Sequence, residues 1–374
     1  MKVLHIINGL GDGGAEATLF KLCKNTPTIN HFVIALSYGD KYFSLLADLG
    51  IPVLRVNLRR RRDFFDSFRQ IIRFILISQP DLIQSWLYHS DIVGGVIGKI
   101  LGIKVIWSIH NNDVSAKTLR FSTFVLVRVN SLLSYVLPSS IVFCSVSALN
   151  THRGLGYSPN KCTVIHNGYD VRKYPLLSPS PLKEYSNLPQ PFVFGMVARW
   201  HPVKDHATLI QALSILNVLT CEPWICMLVG SQVLKTNDKL VSQIKAFGIE
   251  SKILLLGQSS HVSSIMEHFH INILTSLSES FPNVICEAMA LGVPSVATDV
   301  GDISKIVGES GWIVTTRSPL MLAQTLFESM QESHSDYVNR RILAHSLVSF
   351  KYNISLMCQG YESLYAELAK QNFS

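Results

Sequence analysis

Residues 276–292 read SLSESFPNVICEAMALG and hold two carboxylates, Glu279 and Glu287, with seven residues between them. Ser280 is a residue type that caps helices, Pro282 suits a first turn, and Gly292 suits a helix end. Ile285, Ala288 and Met289 fall at i, i+3 and i+4, the spacing of a core-facing stripe. The pattern predicts a loop carrying Glu279 and then a helix carrying Glu287. A helix start presents free backbone N–H groups and a positive dipole end, here near Phe281, Pro282 and Asn283. That is a seat for an anion, phosphate above all. A carboxylate beside such a seat makes sense if it grips hydroxyls of the same ligand, and a sugar nucleotide offers both kinds of group. Spacing alone leaves the plain alternative open: two solvated glutamates near a surface helix.

The elements that must position these residues form two series. KVLHII (2–7) is a short apolar run followed by NGLGDGGAEATLFKLCK, which reads as strand, glycine-rich turn and helix. Gly9, Gly11, Gly13 and Gly14 allow close backbone approach to a ligand, but their spacing is neither the dinucleotide nor the Walker pattern. Strands are expected at 31–38, 52–58, 81–86, 104–110, 140–147 and 163–170, with a helix at 63–79 and another in SDIVGGVIGKILG. Residues 175–190, PLLSPSPLKEYSNLPQ, break this rhythm with proline and serine and read as a linker. A second series follows, with strands at 192–200, 224–230, 252–258, 271–277, 293–300 and 311–316. Helices are expected at 319–331 and 336–346, and a last one at about 353–369. Short strands alternating with longer helices predict an α/β fold of two doubly wound parallel sheets facing a cleft. Ligands bind such sheets outside the carboxyl ends of the strands. The loops of interest are therefore 11–16, 110–112, 167–170, 199–204, Gly230, 257–261 and 279–283.

Composition limits the options. The chain has 374 residues, 48% hydrophobic and 16% charged, which suits two packed domains and excludes a disordered chain. Seven scattered cysteines lack C-x-x-C or Cys/His spacing, arguing for a reducing compartment and against a disulfide framework or zinc site. The first apolar run is too short for a signal peptide, and no run of about 20 apolar residues is free of charge, so no spanning helix is expected. The net charge of +7 is uneven: Arg59, Arg60, Arg61 and Arg62 are consecutive and lead into FFDSFRQIIRFIL, with Arg69 and Arg73. A second patch sets Lys117, Arg120 and Arg128 among Phe121, Phe124, Val125 and Leu126. Basic residues interleaved with apolar ones over 59–76 and 115–137 fit an anionic membrane surface, with solvated helix faces as the alternative. Nucleic acid is not expected as a partner, because no binding motif accompanies the charge.

The order GGAE, HNG, ARWHPVKD and ESFPNVICEAMALGVPSVATDVG resembles the family 4 retaining nucleotide-sugar glycosyltransferases, which adopt the two-domain GT-B fold. The resemblance covers essentially the whole chain. It implies two Rossmann-like domains: 1–174, rejoined by the closing helix, and 191–350, with 175–190 as linker. It implies that Arg199 and Lys204 hold the donor diphosphate without a metal, that Glu279 contacts the donor sugar, and that Glu287 binds the ribose hydroxyls. Ser280, Phe281, Pro282, Asn283 and Val284 match the segment at the sugar and phosphate end, with Gly14 and Gly230 also on the donor side. His110 matches a histidine near the reacting sugar carbon, and Gly13 and Glu16 the loop on the acceptor side; Glu16 could instead cap its own helix. Asn167 and Gly168 match a turn on the hinge side, and 257–261 the loop that reads the base. Trp200 and His201 depart from the small or polar residues usual between Arg and Lys, which puts the donor sugar in doubt rather than the reaction.

The expectation is a cytoplasmic enzyme, peripheral on the inner face of the membrane. It would move a hexose or N-acetylhexosamine from a UDP-sugar to a lipid-linked or glycan acceptor, with retention and without a cofactor. The alternatives are a non-catalytic partner subunit of the same fold, or a nucleotide-sugar epimerase.

Overall fold

The computed structural model describes residues 1–57, 64–112, 114, 121–173 and 191–370. The linker reading, the arginine run 59–62, Lys117 and Arg120 fall outside them. The chain divides into two compact units, residues 1–168 with 354–374, and residues 169–353.

In the first unit the order is β1 (Lys2–Ile7), α1 (Gly14–Asn25), β2 (Asn30–Ala35), α2 (Lys41–Asp48), β3 (Val53–Arg55), α3 (Phe64–Ser78), β4 (Leu82–Trp86), α4 (Tyr88–Leu101), β5 (Lys104–Ile109), α5 (Phe121–Leu133), β6 (Ser140–Phe143), α6 (Val146–Gly154) and β7 (Cys162–Val164). Its seven strands lie in the order β3-β2-β1-β4-β5-β6-β7, and every pair is parallel. The second unit runs β8 (Phe192–Val197), α7 (His206–Leu219), β9 (Trp224–Val229), α8 (Asp238–Ala246), β10 (Ile253–Gly257), α9 (Val262–Met266), β11 (Ile271–Leu274), α10 (Asn283–Ala290), β12 (Ser295–Thr298), α11 (Ile303–Val307), β13 (Trp312–Val314), α12 (Pro319–Met330) and α13 (His334–Lys351). Its six parallel strands lie in the order β10-β9-β8-β11-β12-β13. The closing helix α14 (Ile354–Lys370) belongs to the first unit.

Both sheets are covered on both faces, which is why their strands are nearly continuous apolar runs. In the first unit one face packs α1, α2 and α14 through Leu19, Leu46 and Tyr365, and the other packs α3, α4 and α5 through Ile75, Ile97 and Val127. In the second, α7, α8 and α12 cover one face through Leu213, Leu240 and Leu326, while α9 and α10 cover the other through Met266 and Ala288.

Several strands end sooner than their apolar runs. The run 31–38 pairs only as Asn30–Ala35, the run 163–170 only as Cys162–Val164, and the run 271–277 only as Ile271–Leu274. Their last residues leave the sheet to form the loops at its carboxyl end, where the topology reverses between β1 and β4 and between β8 and β11.

Candidate active site

In the second unit two loops at the reversal point are tied to each other. Thr275 Oγ1 donates to Lys204 O at 2.8 Å and Asp205 O at 3.1 Å, and Leu277 N donates to Val203 O at 2.8 Å. Thr298 Oγ1 donates to Ser276 O at 2.6 Å. The loop after β11 is thereby held to the loop after β8, and the expected site residues Lys204 and Glu279 meet. Lys204 Nζ lies 2.5 Å from Glu279 Oε1, which also accepts from Ser276 Oγ at 2.6 Å. Both side chains are mostly buried, so this charge-assisted bond is little screened by water.

Asp205 explains how Lys204 is aimed. Its backbone is left-handed, φ 46°, a conformation that short polar side chains tolerate. From there its carboxylate caps α7, accepting from Thr208 N at 3.3 Å and Thr208 Oγ1 at 2.7 Å. Arg199 is exposed just past the end of β8. Gly230, at the end of β9, makes the close approach that its residue type allows: a Cβ there would lie 2.1 Å from Ala198 O and 2.9 Å from Arg199 N, and its φ is 153°. Trp200, one of the departures from the family pattern, packs on the core and lies 5.0 Å from the His206 ring. Burial holds His206 down to about 4, so its imidazole is neutral.

The start of α10 corrects the sequence reading. The helix begins at Asn283, and Pro282, neither Ser280 nor a first-turn residue, stands at its N-cap position, where its side chain makes no cap bond. Asn283 N donates to Phe281 O at 2.9 Å, so one of the N–H groups expected for an anion is already bonded. Phe281 is buried between Tyr169, ring centroid 6.5 Å away and stacked, and Tyr352, 5.6 Å away edge-on, while Val284 packs on the core. The Tyr169 hydroxyl donates to Asn283 Oδ1. Glu287 sits within α10, and Gly292 closes that helix with φ 70°, its N–H donating to Met289 O at 2.9 Å. Ser276, Tyr169 and Tyr352 escaped the sequence reading because no spacing pattern links a residue at 169 or 352 to a loop at 281.

In the first unit Gly13 is the N-cap of α1, Gly14 its first residue, and Glu16 lies in its first turn. The Glu16 carboxylate folds back over the start of its own helix; a Cβ on Gly13 would lie 2.2 Å from its Oε2. Burial, with Asp12 nearby, raises its pKa. His110 follows β5. Its ring stacks on Trp86 with centroids 5.2 Å apart and planes at 25°, and burial lowers its pKa to about 4. Among the described residues the His110 Nε2 has no hydrogen-bond partner. All seven cysteines are free thiols, and no helix among the described residues is long and apolar enough to cross a membrane.

Residues 12–173 match the family model described as Glycosyltransferase Family 4, and residues 191–332 match Glycosyl transferases group 1. N-acetyl-alpha-D-glucosaminyl L-malate synthase of Bacillus anthracis is 24% identical over 278 residues, 72% of this chain and 69% of that protein. UDP-Gal:alpha-D-GlcNAc-diphosphoundecaprenol alpha-1,3-galactosyltransferase of Escherichia coli is 22% identical over 255 residues, 67% of this chain and 65% of its own length. The crystal structure of Anabaena HepE in complex with UDP and glucose superposes with a TM-score of 0.84 at 22% identity, covering 98% of this chain and all of that one.

Proposed function

We propose that this chain, which belongs to the family 4 glycosyltransferases and has their GT-B fold, moves a hexose or N-acetylhexosamine from a UDP-sugar to a lipid-linked acceptor with retention of configuration. The observation that carries the donor half is the Lys204–Glu279 contact at the reversal point of the second sheet. A cation there can take the diphosphate while the carboxylate takes sugar hydroxyls. Arg199 and Lys204 would neutralise the charge that develops on the leaving diphosphate, which is the largest single contribution such a site can make. Glu287 would hold the ribose, Gly230 and the backbone of 280–284 would line the donor, and Gly14 would approach the diphosphate. His110 would hydrogen-bond the donor sugar, with Gly13 and Glu16 on the acceptor side. This arrangement needs no metal ion.

A uridine donor is supported by the names of the Escherichia coli relative and the Anabaena structure. A lipid-diphosphate acceptor is supported by the same relative's name. It is also supported by the outer surface of the first unit. On α3, Phe65 and Ile77 are exposed beside Arg69 and Arg73; on α5, Phe121 and Leu132 are exposed beside Arg128. Large apolar side chains exposed together with cations suit an anionic lipid surface, and we place the protein peripherally on such a surface.

Calorimetric titration with UDP, GDP and ADP, without metal, tests the donor reading. UDP is expected to bind, and Arg199→Ala to weaken it at least tenfold; no binding of any of the three would sink the reading. Flotation with phosphatidylglycerol vesicles tests the membrane reading. Retention at low salt is expected, and no retention would refute it.

A further inference from the structure

We infer that Trp86 is the positioning residue for His110, and that its indole is itself held by an ordered hydrogen-bond chain through His5 and His31 to Thr26. Its bearing on catalysis rests on the role proposed above for His110.

His110 sits at a strand end, where a side chain has rotational freedom, and what lies against its ring is the indole face of Trp86 at 5.2 Å. Trp86 is fully buried, and its Nε1 donates to His5 Nδ1 at 3.3 Å. Indole is a donor only, so His5 Nδ1 must be the acceptor. A neutral His5 then carries its proton on Nε2 and donates to His31 Nδ1 at 2.9 Å. His31 in turn carries its proton on Nε2 and donates to Thr26 Oγ1 at 2.9 Å, and the Thr26 hydroxyl donates to Leu22 O at 2.7 Å. Every proton on the path is assigned by the one group that cannot accept. Protonating either imidazole would put two donors face to face, and burial of both rings opposes that charge.

Cys23, His5 and His31 also offer ligand atoms within 4.8 Å of one another, a spacing that would suit a metal ion. The indole direction argues otherwise. A metal on His5 Nε2 would leave the imidazole proton on Nδ1, pointing at the Trp86 N–H. The chain of hydrogen bonds satisfies the same atoms without that conflict.

The test has two readouts on the full chain. The first is NMR titration of the histidine Cε1–H signals, with His110 assigned from a His110→Gln spectrum. In Trp86→Leu the His110 signal is expected to lose its ring-current shift, and its pKa to rise from about 4 toward 6.5. Trp86→Phe, which keeps a ring but loses the N–H that holds it to His5, is expected to shift the His110 signal less than Trp86→Leu does. His5→Phe, which removes the acceptor and leaves Trp86 in place, serves if Trp86→Leu does not fold, and is expected to shift the His110 signal measurably. The second readout is UDP release from UDP-glucose and UDP-N-acetylglucosamine, with water taking the sugar as a slow hydrolysis. Trp86→Leu is expected to lower kcat roughly tenfold to a hundredfold with little change in KM, as misplacement of a reacting group does, and more so at pH 6 than at pH 8 because the less buried His110 is then protonated. An unchanged His110 signal in both Trp86→Leu and His5→Phe overturns the inference. A shifted signal with unchanged kcat overturns its catalytic part. If the wild type neither releases UDP from these donors nor binds UDP, the function proposed above fails, and the NMR arm still decides whether Trp86 positions His110.

Discussion

Lys204 and Glu279 lie 75 positions apart in sequence, yet the lysine Nζ reaches the glutamate Oε1 at 2.5 Å. The pair joins the loop after β8 to the loop after β11, and Ser276 shares the same carboxylate oxygen. On the function proposed above, a donor diphosphate and sugar would meet a cation and a carboxylate already oriented by each other, which lowers the reorganisation required on binding.

Removing either partner should therefore cost activity through both. Lys204→Ala and Glu279→Gln are each expected to lower kcat/KM for the donor by roughly a hundredfold to a thousandfold. The double variant is expected to be little worse than the poorer single, because residues in contact are not additive. Steady-state kinetics of the three proteins check this; strict additivity would show that the two act independently.

Gly230→Ala should affect the neighbouring strand end more than its size suggests. The added Cβ would meet Ala198 O at 2.1 Å, on a backbone with φ 153°. A cost of about 1–3 kcal/mol is expected from such strain. Displacement of Ala198 and Arg199 should also weaken UDP binding at least tenfold. Thermal melting and calorimetric titration of the variant measure the two effects separately.

Tyr169→Phe deletes the hydroxyl that donates to Asn283 Oδ1 but keeps the ring stacked on Phe281. A stability loss of about 1 kcal/mol is expected. With Asn283 less firmly held at the start of α10, the Kd for UDP is expected to rise several-fold. Equal UDP affinity in variant and wild type would exclude this role for Tyr169.

Stability should fall on mild acidification. Burial holds His31, His152 and His206 each at about 4, against 6.5 for a free imidazole. Between those values the unfolded chain binds more protons than the folded one, so unfolding free energy rises with pH there. The stability is fully present above pH 6.5 and is lost as pH falls toward 4, by about 1.4 kcal/mol per pH unit for each such group. Melting curves at pH 7, 6 and 5 should show Tm dropping stepwise, and His152→Phe should flatten that slope. A Tm independent of pH over this range would contradict the burial of these rings.

What the sequence by itself determined is the part governed by local periodicity. Two runs of short apolar segments alternating with helical ones imply parallel sheets covered on both faces, because only such strands can be apolar without alternation. Glu279 on a loop and Glu287 in the following helix were legible for the same reason: a stripe at i, i+3 and i+4 places Ile285, Ala288 and Met289 in the core and so fixes which residues precede them. The point at which that helix begins was less legible. Ser280 and Pro282 are good capping and first-turn types, but in the folded chain Phe281 is drawn into a pocket of Tyr169 and Tyr352, and the helix starts one residue after the proline. Long-range contact decided that, and local propensity is weak beside it. The Lys204–Glu279 contact and the Trp86–His5–His31–Thr26 chain belong wholly to the tertiary structure. They join residues brought together by strand order in the sheet. Strand order follows from which strands share a face and a crossover, and no spacing along the chain encodes it.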